Sequence, residues 1–192
     1  DGDKWHNISQ QTIQAATNGN PARDFMDVAV DPMDANHFFV TSYGNGVYEF
    51  RNNQVVQQYL PENSSLESAA PNSPKNYTRC TGGTFDAAGN YWVLTSGTTK
   101  NVHRLSRDSN RWNAIDLQYG GSSLVIHTMK ELIIDHRDER YKWIPGMRAP
   151  KGLVLLDDNG TILDTDDRTM FRDVWVTSNG EQVSPTYVYT AK

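Results

Sequence analysis

One cysteine, Cys80, is the whole thiol content of this 192-residue chain, so no intrachain disulfide can form and packing must hold the fold. A lone cysteine says almost nothing about compartment. No apolar run is long enough to cross a bilayer as a helix, and no basic segment followed by an apolar core opens the chain. Asp1-Gly2-Asp3-Lys4-Trp5 reads as a mature or excised start. Lys and Arg are scattered under a net charge of −5, which argues against a phosphate-tracking surface, so nucleic acid is not expected as a partner. A helical period is missing as well, since no useful length keeps apolar residues three and four apart. What remains agrees with an all-β protein working outside the reducing cytosol.

What is present is a pattern that occurs three times: an apolar run, an Asp at a turn, then an aromatic-rich strand and a further apolar strand. The copies are Val28-Ala29-Val30-Asp31 with Phe38-Phe39-Val40 and Gly46-Val47-Tyr48-Glu49-Phe50; Thr84-Phe85-Asp86 with Tyr91-Trp92-Val93-Leu94; and Leu132-Ile133-Ile134-Asp135 with Tyr141-Lys142-Trp143-Ile144. Asp31, Asp86 and Asp135 are 55 and 49 residues apart (86 − 31 and 135 − 86). Several short strands repeating at about 40–50 residues mark propeller blades, whose four-stranded sheets bury their faces against their neighbours. The repeats predict an all-β propeller segment of about three blades, over 25–60, 80–118 and 130–165. The outer strands fall at Val55-Val56-Gln57-Gln58-Tyr59, Arg111-Trp112-Asn113-Ala114-Ile115 and Thr161-Ile162-Leu163-Asp164.

The ends extend the pattern. Lys4-Trp5-His6-Asn7-Ile8 matches the spacing of Arg111-Trp112-Asn113-Ala114-Ile115, so residues 1–10 are expected as the outer strand of a preceding blade. Residues 185–192, with Tyr187-Val188-Tyr189, are expected as the inner strand of a following one. Three repeats and two flanking strands do not close a ring of about 4–8 blades, so the whole of 1–192 reads as a segment of a longer propeller. The alternative is a small four-bladed ring whose ends share one blade. An unclosed ring would leave two blade faces without neighbours, which predicts self-association through them. The long connections at 61–78 and 164–184 are surface excursions of the kind that carry binding.

The order of these motifs resembles the two-component-regulator propeller repeats of Bacteroidetes. The residues concerned are Asp31-Pro32-Met33-Asp34-Ala35-Asn36-His37, Ser42-Tyr43-Gly44-Asn45-Gly46 and Gly83-Thr84-Phe85-Asp86-Ala87-Ala88-Gly89-Asn90-Tyr91-Trp92-Val93. Lys142-Trp143-Ile144, Gly152-Leu153-Val154, Asn159-Gly160-Thr161 and Asp166-Asp167 are similar, more narrowly, to the propeller of the PorZ family of type IX secretion accessory proteins. The resemblance runs from Phe25 onward. It implies a seven-bladed ring, a second propeller and a C-terminal sandwich, exposure at the cell surface or in the periplasm, and a role in maturing secreted cargo. It further implies a sortase partner and an anionic lipopolysaccharide. This chain contains neither the second propeller nor the sandwich.

The chemistry-bearing residues favour structural roles. His6, His37, His103, His127 and His136 lack HxH or HExxH spacing, so no metal site is expected. Asp157-Asp158-Asn159-Gly160 lacks the alternating ligands of a calcium loop and reads as a turn. Asp164, Asp166 and Asp167 could supply an acid and a base for glycoside hydrolysis, but adjacent carboxylates at a blade exit usually cap turns. Ser106-Arg107-Asp108-Ser109-Asn110-Arg111-Trp112 misses a sialidase Asp box by its absent Gly and a Trp one residue early. No Gly-x-Ser-x-Gly elbow exists. Asp31, Asp86 and Asp135 are assigned to turns, and Trp92, Trp112 and Trp143 to packing between blades.

Tyr43, Tyr77, Tyr119 and Trp175 fall in connections, where a ring can stack on a sugar or anchor a partner, and they are the candidate ligand-binding residues. The expected function is noncatalytic binding or scaffolding in a cell-envelope protein, with an envelope protein or a glycan as partner and no cofactor. The rivals are a glycan-sensing domain of a hybrid two-component regulator and a propeller lyase or glycosidase.

Overall fold

The structure, a computed structural model, describes Trp5 and residues 7–161, 166–173, 176–178 and 181–183. In chain order its elements are α1 (Gln10–Ala16), β1 (Phe25–Asp31), β2 (Asp34–Gly44), β3 (Gly46–Arg51), β4 (Gln54–Tyr59), α2 (Pro74–Tyr77), β5 (Thr78–Phe85), β6 (Tyr91–Thr95), β7 (Val102–Leu105) and β8 (Trp112–Ile115). They continue as β9 (Gln118–Tyr119), β10 (Ser122–Ser123), β11 (Ile133–Ile134), β12 (Tyr141–Gly146), β13 (Gly152–Asp157), β14 (Arg168–Asp173), β15 (Val176–Ser178) and β16 (Glu181–Val183). Strands β1–β4, β5–β8 and β11–β14 form three four-stranded antiparallel meanders, the architecture of consecutive propeller blades. The first two are stitched into one curled sheet where β2 pairs β5, with Tyr43 opposite Arg79 and Gly44 opposite Thr78.

The middle blade shows why the pattern folds this way. All five residues of β6 and all four of β7 are buried, because the period of two sends alternate side chains into different neighbours. Tyr91, Val93 and Leu105 join Ala29, Phe39 and Val47 of the first blade. Trp92, Leu94, Val102 and Ile115 join Ile144, Val154, Leu156 and Phe171 of the third. Such double burial explains the unbroken apolar run in the sequence. In the third blade β13 alternates between buried and half-buried residues. Trp143, opposite Leu155 and Ile133, lies half-buried on the face turned away from the second blade. Trp92 and Trp112 do pack between blades, the latter edge-on against Tyr59 at 5.1 Å.

The outward face of the first blade is covered by α1, whose Ile13 packs on Val40, Tyr48 and Phe50. A helix here departs from the strand expected over 1–10: Trp5 and residues 7–9 belong to no strand, and residues 1–4 and 6 lie outside the described residues. Ser9 decides the matter locally, its Oγ accepting from Thr12 N–H at 3.1 Å as an N-cap. Asn18 and Gly19, at φ 52° and 80°, end the turn.

The outer strand of the third blade is β14, beyond the limit expected at 165. Asn159 and Gly160 turn left-handed, Asp166 ties back to Asn159 Nδ2 and Thr161 Oγ1, and Thr161 itself belongs to no strand. Asp164, the rest of that expected strand and the strand expected at 185–192 lie outside the described residues.

Candidate functional site

The meanders give the blades two rims. On one lie the β1–β2, β5–β6 and β11–β12 turns that carry the three aspartates; on the other lie the β2–β3 turn and the crossovers between blades.

On the first rim every turn Asp binds backbone locally and then a ring on the next strand. Asp31 accepts from Met33 N–H at 2.9 Å and bonds His37 Nδ1 at 2.8 Å. Asp86 accepts from Asn90 N–H and Trp92 Nε1–H, both at 2.8 Å. Asp135 accepts from Arg137 N–H at 3.0 Å and Trp143 Nε1–H at 3.3 Å. Burial pushes Asp31 up, but the Met33 N–H, His37 and Arg107, whose Nη1 lies 2.8 Å away on the second blade, outweigh it and hold the carboxyl below its ordinary value. The Arg137 side chain, then its N–H, holds Asp135 below the usual carboxylate range. His37 Nε2 faces Glu49 Oε1 at 2.9 Å, and Glu49 in turn accepts from Tyr59 O–H at 2.7 Å. Every one of these carboxylates is engaged by the protein itself.

Other chemical groups are engaged in the same way. Asp27, toward the axis, accepts from Gly82 N–H at 2.9 Å, where β5 passes so close to the third blade that a Cβ on Gly82 would lie 2.8 Å from Leu132 N. His103 lies between Ser65 Oγ at 3.0 Å and Thr95 Oγ1 at 2.7 Å, and burial pushes its pKa down to about 3. Burial drives the Cys80 thiol up, away from a reactive thiolate. Lys142 pairs with Asp158 between the blades, with its ammonium 4.4 Å from the Trp92 ring centroid. Among the described residues no three His, Cys, Asp or Glu side chains converge to hold a metal ion.

The crossover rim is where three of the four expected aromatics fall. Tyr43 and Tyr77, distant in sequence, meet at Arg79, whose guanidinium carbon is 5.6 Å and 5.5 Å from their ring centroids. Tyr119 stands apart on the β9–β10 hairpin, exposed and edge-on to Phe171 at 5.5 Å. Trp175 lies outside the described residues. Arg79 is the residue that sequence reasoning missed. Its signal was a charge in the strand Thr78-Arg79-Cys80-Thr81, whose members Thr78 and Cys80 are buried.

Three consecutive blades with a carboxylate-tied rim and an aromatic crossover rim define a partial β-propeller, a class that serves as a platform more often than as a catalyst. Among solved structures, PorZ, an essential bacterial surface component of the type IX secretion system of Porphyromonas gingivalis, superposes on it with a TM-score of 0.78 and 25% identity. The match covers 98% of this chain and 25% of that one, so the chain spans about a quarter of PorZ. No protein-family model and no curated protein matches the sequence.

Proposed function

We propose that this chain is part of a noncatalytic, PorZ-like scaffold of the cell envelope, serving a type IX secretion apparatus from the cell surface. The observation that carries this reading is the likeness to PorZ over nearly the whole chain. The chemistry agrees with it: Asp31, Asp86 and Asp135 serve the fold's own N–H groups. Partners meet the crossover rim, at Tyr43, Tyr77 and Tyr119. The outward face of the third blade, with Ile133, Trp143 and Leu155 half-buried and Met170 exposed, is a second contact surface. Self-association through it is read by light scattering on the chain. The function is tested by replacing the matching quarter of PorZ with this chain in a strain lacking PorZ. Restored maturation and release of secreted cargo is the expected result. Stable, surface-exposed hybrid with no cargo matured would overturn the reading.

A further inference from the structure

Arg79 differs from the buried cations Lys142 and Arg104. Lys142 pairs with Asp158, and Arg104 donates to the Thr161 carbonyl at 3.0 Å. Arg79 is half-buried, and among the described residues its side chain makes no ion pair and no hydrogen bond; it stands over the Tyr43 and Tyr77 rings. A guanidinium held against ring faces keeps its in-plane N–H fork free, and that fork matches a carboxylate bidentately. The backbone fixes it in place: Arg79 sits opposite Tyr43 in the β2–β5 pairing, and its carbonyl accepts from Ser96 N–H at 3.0 Å.

Beside Arg79 a groove of about 560 Å³ runs between the crossover at 60–77 and the β6–β7 turn. Its walls are largely apolar: Pro61, Leu66, Ala69, Pro71, Pro74 and Val125. Gly97 joins groove to cation, since a Cβ there would lie 3.3 Å from the Ala69 Cβ and 3.9 Å from Arg79 Nη1. The carboxylate of the groove, Glu67, accepts from the N–H groups of Thr99 and Lys100 at 3.1 Å and 3.0 Å, so it serves that turn and leaves Arg79 unpaired. Apolar walls next to a free guanidinium are complementary to an apolar side chain next to a carboxylate.

We propose that this groove docks an extended segment of a partner protein, with an apolar side chain among the prolines and an adjacent Asp or Glu on the Arg79 fork. The inference rests on the scaffold reading above. A protein segment fits better than a sugar, because Arg79 already occupies one face of each tyrosine and the polar side chains of the walls, Glu67, Ser68 and Thr98, are bonded to the protein's own backbone.

The test is an amide-resolved NMR titration of the full chain with three probes: acetyl-Leu-Glu-Leu-Glu-Leu-amide, its Gln counterpart, and trigalacturonate. The Glu peptide is expected to shift the amides of Tyr77, Gly97 and Val125. The Gln peptide, and the Glu peptide on Arg79→Gln, are expected to bind about tenfold more weakly or worse, with Arg79→Lys between. If Arg79→Gln does not fold, the two peptides on the unmodified chain give the same contrast. Equal binding of the peptides, no shift at these amides, or shifts from trigalacturonate alone would overturn the proposal. A failed titration with the PorZ replacement still working removes the groove and leaves the scaffold; failure of both removes the scaffold.

Discussion

The two rims of the blades are ends of the same strands, yet their charged groups have different destinations. On the Asp-turn rim each carboxylate is satisfied within a few residues and then reaches a ring on the next strand, His37, Trp92 or Trp143. On the crossover rim Arg79 has rings around it and, among the described residues, no anion. Buried charges left unpaired are costly, so a rim that pairs its turn carboxylates serves the fold, and a rim that leaves a cation open can serve a partner. Substitutions on the first should therefore change stability, and substitutions on the second should change binding.

The largest effect is expected at Trp92, which fills the seam between the second and third blades and hangs from Asp86. Trp92→Ala should cost about 3–5 kcal/mol in denaturant unfolding. Lys142→Ala should cost nearly as much, about 3–5 kcal/mol, because it strands the buried Asp158, whereas the double change Lys142→Met with Asp158→Leu should recover most of the loss. Asp86→Ala orphans the Trp92 N–H and the Asn90 N–H and should cost about 1–3 kcal/mol.

His103 sharpens the comparison through pH. Its folded pKa of about 3 lies below the unfolded value, so the unfolded chain binds the proton first. The stability it contributes is present above about pH 6.5 and falls by up to about 1.4 kcal/mol per pH unit as pH drops toward 3. Melting curves at pH 7, 6 and 5 should show that slope, and His103→Gln should flatten it. The smallest effect is expected at Tyr77, exposed on the crossover rim, where Tyr77→Ala should shift stability by no more than about 0.5 kcal/mol.

The core was legible in the sequence wherever geometry is local. Tyr91-Trp92-Val93-Leu94 is apolar without interruption because both faces of its sheet are covered, whereas Leu153-Val154-Leu155-Leu156, equally apolar, is buried on one face and half-buried on the other. The helix α1 escaped because seven residues with one buried side chain, Ile13, offer no period to read. The outer strand of the third blade lies at Arg168–Asp173, later than the apolar pattern placed it, because its alternation of Thr169, Met170 and Phe171 is short and flanked by charge. The Tyr43–Arg79–Tyr77 cluster was half legible. Both tyrosines stood in connections, but their meeting depends on the β2–β5 pairing between blades, a non-local contact outside any motif.

The most direct test of the two-rim account is a side-by-side thermal melt of Asp86→Ala and Arg79→Gln in the same buffer. At about 2–4 °C per kcal/mol for a chain of this size, Asp86→Ala should melt several degrees lower, while Arg79→Gln should stay within about 2 °C of the unmodified protein. Equal losses, or a larger loss at Arg79, would contradict the division into a rim that holds the fold and a rim that is open to a partner.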